Sequence, residues 1–309
     1  DTAANIAAQV ASGVASGSGP DSLDEADSVF VESGTAIGAS DAEAIQAISG
    51  YSGAGSDYDI TDNAAALISA GDDVLNVAGV DIVTASDTSV DAKIGGDLAG
   101  FTAEIEFDVV DNAAGLIAEM GGADVAGHLT EANSITVDDG QGGQNVNASD
   151  GAMLASFTAD VDFDVSDTAA NIAAQVASGV ASGSGPDSLD EADSVFVESG
   201  DPVTAAQAES VQDLINYSGG DIDISDNAAN LISAGDHVLN VTGVDVVTVN
   251  NGATSASDGA ILAGFTADVE FDVADDVGAL KSVMGSDDAA SYLTEANSII
   301  VDDGTGSSV

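Results

Sequence analysis

Short runs of alternating apolar and acidic residues recur along the chain at wide, regular intervals. "VDFDVS" (161–166) reads apolar, acid, apolar, acid, apolar, and "SITVDD" (134–139) and "SVFVES" (194–199) alternate in the same way. Alternation at period two marks a half-buried strand. Eleven candidate strands are centred near residues 30, 60, 82, 107, 136, 163, 196, 224, 246, 271 and 300. Their mean spacing is about 27 residues, inside the range of repeats with one strand per turn. Between them lie Ala-rich stretches with helical periodicity. After Asp167, residues Ala169, Ile172, Val176 and Val180 fall on one helical face. Asp is a favoured N-cap, so Asp62, Asp111, Asp167, Asp226 and Asp275 are expected to cap the helices they precede. Thr204–Gln207, just after Pro202, and Ser40–Glu43 both fit the capping box.

Strand, helix, strand, helix implies parallel strands joined by right-handed crossovers. The expected fold class is therefore α/β: a right-handed solenoid with one parallel strand per rung of about 27 residues and short Ala-rich helices. A parallel β-solenoid, with the Ala-rich stretches as loops, is the alternative. Eleven rungs at ~4.8 Å would make a rod roughly 50 Å long. The spacing is that of a leucine-rich repeat, but the L-x-x-L-x-L-x-x-N motif is missing.

The repetition has two levels. Residues 1–34 and 167–200 are identical, and 61–84 and 128–140 have close counterparts at 225–248 and 292–304. The chain therefore divides into a long unit, 1–166, and a second, incomplete one, 167–309, expected to continue a single solenoid. Each long unit holds three shorter ones, opening at Asp1, Asp62 and Asp111 and again at Asp167, Asp226 and Asp275. Each sub-repeat opens on a motif like D-x-A-A-x-L/I and then reaches a second motif, seen as "LDEADSV", "VLNVAGV" and "LTEANSI". Arrays tolerate such duplication because each unit contacts only its neighbours. The pattern starts in mid-unit at Asp1 and stops at the "SIIVDDG" strand, so open ends and head-to-tail stacking are expected of a piece of a longer array.

Charge then narrows the partners. Acids number 55 against two lysines, with no arginine and a formal net charge of −53. Nucleic acid and anionic membranes are bound through Lys and Arg, so neither is an expected partner. Cations, basic proteins, other copies of the chain, or water and salt remain. The hydrophobic fraction of 44% argues against disorder despite that charge. No apolar run approaches the length of a membrane helix, and no cysteine is present for disulfides or thiolate sites.

If Val161, Phe163 and Val165 face a core, Asp160, Asp162 and Asp164 face outward. The same holds for Glu104, Glu106 and Asp108, and for Asp268, Glu270 and Asp272. Acids on one strand face are ~6.7 Å apart and repel by about 2.5 kcal/mol per pair at an effective dielectric of 20. Strands such as "VDIVT" are expected to separate the acidic ones and lower the cost. Cations would relieve what is left. Calcium suits several carboxylates in flexible geometry, so these nine acids are its candidate ligands, together with Asp138, Asp139, Asp302 and Asp303 in the "VDDG" turns. The site is no EF-hand, because Val165 and Asn171 stand where that loop needs Gly and Glu. A solvated acidic face, or adaptation to high salt, accounts for the same composition without any ordered ion.

No catalytic set emerges. His128 and His237 are isolated, and their counterparts are Tyr292 and Asp73. Paired acids could serve a glycosidase, but these pairs repeat along the whole chain. Asn147, Asn216 and Asn240 open formal glycosylation triplets.

At "VSDTAANIAAQV", "LDEADSV" and "VTAAQAESVQDLINY" the chain resembles the long repeat regions of giant secreted bacterial surface proteins, both adhesin-like and surface-layer-like. The resemblance covers nearly the whole chain. It implies an extracellular location, a stalk, filament or surface-layer role, and often calcium, although the calcium nonapeptide of such proteins is absent. The expected function is that of a non-enzymatic, cation-stabilised structural rod. A module of a larger secreted protein that binds calcium or a basic partner is the alternative.

Overall fold

Alanine and short polar caps set where the helices begin. A computed structural model describes residues 1–14, 23, 26–32, 34–121, 128–157, 159–179, 188–285 and 293–302. It forms two compact units, one of Asp1–Gln144 with Ser156–Asp162, the other of Asn145–Ala155 with Phe163–Val309.

The first unit contains helices α1 (Ala3–Gln9), α2 (Ala39–Gln46), α3 (Ala64–Ala70), α4 (Asp72–Leu75), α5 (Ala92–Ala99) and α6 (Ala113–Met120). Its strands are β1 (Tyr58–Asp62), β2 (Val80–Ala85), β3 (Ile105–Glu106), β4 (Asp108–Asp111) and β5 (Ser134–Val137). They pair in the orders β1-β2-β3 and β4-β5, always parallel. Asp162 adds a parallel bridge to Thr136 on the outer edge of β5.

The second unit runs β6 (Asn145–Val146), α7 (Ala148–Leu154), β7 (Asp164–Thr168), α8 (Ala169–Gly179), β8 (Ser194–Glu198), α9 (Ala205–Gln212), β9 (Tyr217–Gly220) and β10 (Ile222–Asp226). It continues with α10 (Ala228–Ala234), α11 (Asp236–Leu239), β11 (Val244–Val249), α12 (Ala256–Leu262), β12 (Val269–Glu270), β13 (Asp272–Asp275), α13 (Val277–Met284) and β14 (Ser298–Val301). Its sheets are β6-β7-β8-β9, β10-β11-β12 and β13-β14, again parallel throughout. Over the described residues the chain is thus a mixed α/β protein of short parallel sheets, none closed into a barrel. Near residue 30 the described chain makes only single bridges, at Val29 and Glu32.

The alternation does the work expected of it. Val161, Phe163 and Val165 are buried, and so are Ile105, Phe107 and Val109, and Val269, Phe271 and Val273. Each fully buried side chain of this size contributes about 1.5–3 kcal/mol. The helices approach these strands closely because the facing residue is small. A Cβ added to Gly151 would lie 2.8 Å from a Val165 methyl, and the same holds for Gly259 against Val273 and Gly95 against Val109.

Capping departs from the expected pattern by one residue. Asn63, Asn112, Asn227 and Asp276 are the N-caps of α3, α6, α10 and α13. Before α8, the Thr168 hydroxyl accepts the Asn171 N–H. The aspartate just ahead of each cap divides its two oxygens. One accepts the N–H of the residue that follows, as Asp62, Asp111, Asp167, Asp226 and Asp275 all do. The other reaches back to the first N–H of a helix 19 to 23 residues earlier: Asp62 to Ala39, Asp111 to Ala92, Asp167 to Ala148, Asp226 to Ala205 and Asp275 to Ala256, at 3.0–3.2 Å. The first turn of a helix leaves such donors without partners, and a charged acceptor there also meets the positive end of the helix dipole. The Thr204–Gln207 capping box forms as expected. The Ser40–Glu43 box does not, because the N-cap of α2 falls two residues sooner, on Gly38, which has no side chain to cap it.

Of these five aspartates, Asp226 is the most buried, at 6% exposure. Asp226→Ala is expected to lower the stability of unfolding by about 1.5–3 kcal/mol, the range for a hydrogen bond to a charged group. Asp268→Ala, on an exposed side chain, should change it by less than about 0.5 kcal/mol. Urea melts of both variants give the comparison; equal midpoints would remove the energetic role of the clamp.

Candidate cation-binding carboxylates

The outward acids fall into two groups. Asp160, Asp162, Glu104, Glu106, Asp268 and Glu270 are exposed, Glu106 in β3 and Glu270 in β12. Asp108, Asp164 and Asp272 are tied down: each accepts a hydrogen bond from the serine opposite it on the neighbouring parallel strand. The pairs are Ser134–Asp108 at 2.6 Å, Ser194–Asp164 at 2.6 Å and Ser298–Asp272 at 2.5 Å. Glu106 also accepts from the Thr84 hydroxyl, at 3.3 Å. These bonds give three of the candidate calcium ligands a neutral partner inside the sheet.

The turn acids build their own loop. Asp138 accepts the Gly140 N–H, and Asp139 accepts those of Gln141 and Gly143. Asp302 is exposed, and Asp303 lies outside the described residues. Asp160 and Asp162 border an open, polar cleft of about 280 Å³ beside Asn133 and Ser134.

The group among the described residues that could hold a metal ion lies elsewhere. Carboxylate oxygens of Asp221, Asp223 and Asp245 lie within 4.8 Å of one another. Asp223 sits in β10 between Ile222 and Ile224, both buried, and Asp245 sits in β11, the next parallel strand. One oxygen of Asp223 is shielded from solvent and has no hydrogen-bond partner. The set is hard, anionic and oxygen-only, which suits a cation such as calcium with water completing its shell. Sequence reasoning passed over it because "VDVVT", like "VDIVT", counted as a neutral spacer between acidic strands. The signal was present as Asp221-Ile-Asp223 followed by Asp245. Asp57, Asp59 and Asp81 occupy the aligned places in the first copy.

A second pair of acids holds backbone N–H groups. Asp72, at the start of α4, accepts the N–H groups of Thr102 and Ala103, and Asp236, at the start of α11, accepts those of Thr266 and Ala267. The Thr102 N–H above all holds the Asp72 carboxyl below the usual aspartate range, against a smaller opposing effect of desolvation, and Ala103 adds to it. Thr266 and Ala267 do the same for Asp236.

Cations are scarce. Lys93 pairs with Asp97 at 3.1 Å and His237 stands 3.6 Å from Glu209, all with side chains at least half exposed or nearly so. The His128 side chain lies outside the described residues. Asn216 is unsuited to modification, since its amide donates to the carbonyls of Leu189 and Ala192. No described helix is long and apolar enough to cross a membrane.

No protein-family model, curated protein or solved structure matches the chain.

Two outcomes follow from this geometry. Asp72 and Asp236 have folded pKa values below their ordinary 3.8. Their stabilisation is therefore complete above that value and drains away as pH falls through and below it. The stability difference between wild type and an Asp72→Asn/Asp236→Asn variant should shrink in urea melts taken from about pH 6 down to about pH 3. A difference constant over that range would contradict it. For the triad, calcium chloride should raise the melting temperature of wild type above that in sodium chloride of equal ionic strength. Asp223→Asn/Asp245→Asn should respond only to ionic strength; equal calcium responses in the two proteins would rule the triad out.

Proposed function

We propose that the chain is a structural repeat protein: a continuous right-handed α/β solenoid serving as an acidic, cation-stabilised rod in an extracellular filament, surface layer or adhesin stalk. The observation that carries this proposal is the recurrent aspartate clamp. Five helices hand their first N–H to the aspartate that opens the next sub-repeat, 19 to 23 residues on and with the same division of oxygens. Interactions of that kind join neighbours in sequence and repeat without limit, which is the logic of a quasi-one-dimensional array. Parallel pairing of neighbouring strands, the duplicated long units and the resemblance to secreted surface-protein repeats support the same role. The charge of −53 favours an exposed, solvated setting with cations close by.

A module that binds a divalent cation within a larger secreted protein is the second reading, favoured by the Asp221–Asp223–Asp245 cluster. Electron microscopy and small-angle scattering of the chain, with calcium and with chelator, separate the two. The structural role predicts an elongated particle in both conditions and end-to-end or lateral association as concentration rises. A particle that stays monomeric at high concentration in calcium and in salt, or two lobes that move independently, would overturn it.

A further inference from the structure

Among the described residues the two long units differ at the clamp on α3 and α10, and the difference falls on a chemically reactive dipeptide. After β2, the Ser86 N–H donates to the Asp62 carbonyl at 2.8 Å. The next residue, Asp87, accepts the first N–H of α3, from Ala64, at 2.6 Å. After β11 the turn is the same: the Asn250 N–H donates to the Asp226 carbonyl at 2.9 Å. Here Asn251 stands in the place of Asp87, with no gap in the alignment between them. Asn251 makes no side-chain hydrogen bond, and Ala228, which opens α10 as Ala64 opens α3, is buried without a carboxylate on its N–H.

Asn251 is followed by Gly252, the one Asn-Gly pair in the sequence. Both residues are exposed. Gly252 has φ +85° and nothing within 4 Å of where a Cβ would stand, so the turn is open on that side. A residue without a Cβ leaves its own nitrogen unhindered. The Gly252 nitrogen can attack the Asn251 side-chain carbonyl carbon; the C–N bond to the amide nitrogen breaks, and ammonia leaves carrying the Gly252 proton. The resulting succinimide is then opened by water at one of its two carbonyls, giving aspartate or isoaspartate. No oxidant or reductant is needed.

We propose that Asn251 is a spontaneous deamidation site, and that its aspartate product clamps the Ala228 N–H as Asp87 clamps that of Ala64. The reaction would complete in the second unit a bond the first unit encodes directly, and the clamp would appear with the age of the protein.

The test uses the full chain. After incubation at mildly alkaline pH, peptide mass spectrometry should find the amide-to-acid mass gain at residue 251 in wild type and not in Asn251→Gln. Amide hydrogen exchange should then show Ala228 protected about fivefold more in Asn251→Asp than in Asn251→Gln, the size expected of a cap. Asp87→Asn should lose protection at Ala64 to a similar degree, which establishes that the clamp is measurable. An unchanged mass at residue 251 would overturn the proposal. So would equal exchange at Ala228 in the two variants.

Discussion

A carboxylate with two oxygens and two different obligations organises this protein. One oxygen orders the chain locally, by accepting the next main-chain N–H. The other satisfies a helix start that belongs to the preceding segment. Helix ends carry donors that nothing inside the helix can satisfy, and Ala-rich helices of seven or eight residues are marginal without help. Here the help comes from the following stretch of chain, so forming one helix and positioning the next strand are parts of the same event.

The sheets add a second, more modest coupling. Serine–aspartate pairs join neighbouring strands at three equivalent positions, and buried Val, Ile and Phe side chains fill the space beneath. Acids that look, along the sequence, like an unrelieved column of charge are partly neutralised in pairs by hydroxyl donors. This sorts the carboxylates into those with work inside the fold and those open to solvent and its ions. Among the described residues, the acids placed to share an ion are Asp221, Asp223 and Asp245, which meet at β10 and β11.

Much of the fold was legible in the sequence. Period-two alternation located β1 to β5, β7, β8 and β10 to β14, since an apolar face against the helices forces every second residue outward; it gave no sign of β6 or β9, and the strand expected near residue 30 is reduced to single bridges. The parallel arrangement followed from the intervening helices. What could not be read was which partner each aspartate would take. Asp167 and Thr168 are adjacent, both able to cap, and only the three-dimensional return of Ala148 decides that Asp167 serves the earlier helix. The capping box at Ser40–Glu43 failed for a similar reason: an aspartate 23 residues on, Asp62, already holds the Ala39 N–H. The acid triad was missed because the strand that carries Asp245 counted as a neutral spacer, and alternation within each strand alone does not say which acids meet across β10 and β11.

The backward reach of the clamp bears on how such a chain grows. Asp167 stands at the seam where the duplicated sequence begins again, yet it makes the same pair of bonds as Asp62 and Asp111 within the first unit. At this clamp the seam makes the bonds of an interior joint. A gene carrying these units can therefore lengthen or shorten by unequal recombination, in steps of whole sub-repeats, without inventing a new interface. The identity of residues 1–34 and 167–200 is the trace such an exchange would leave.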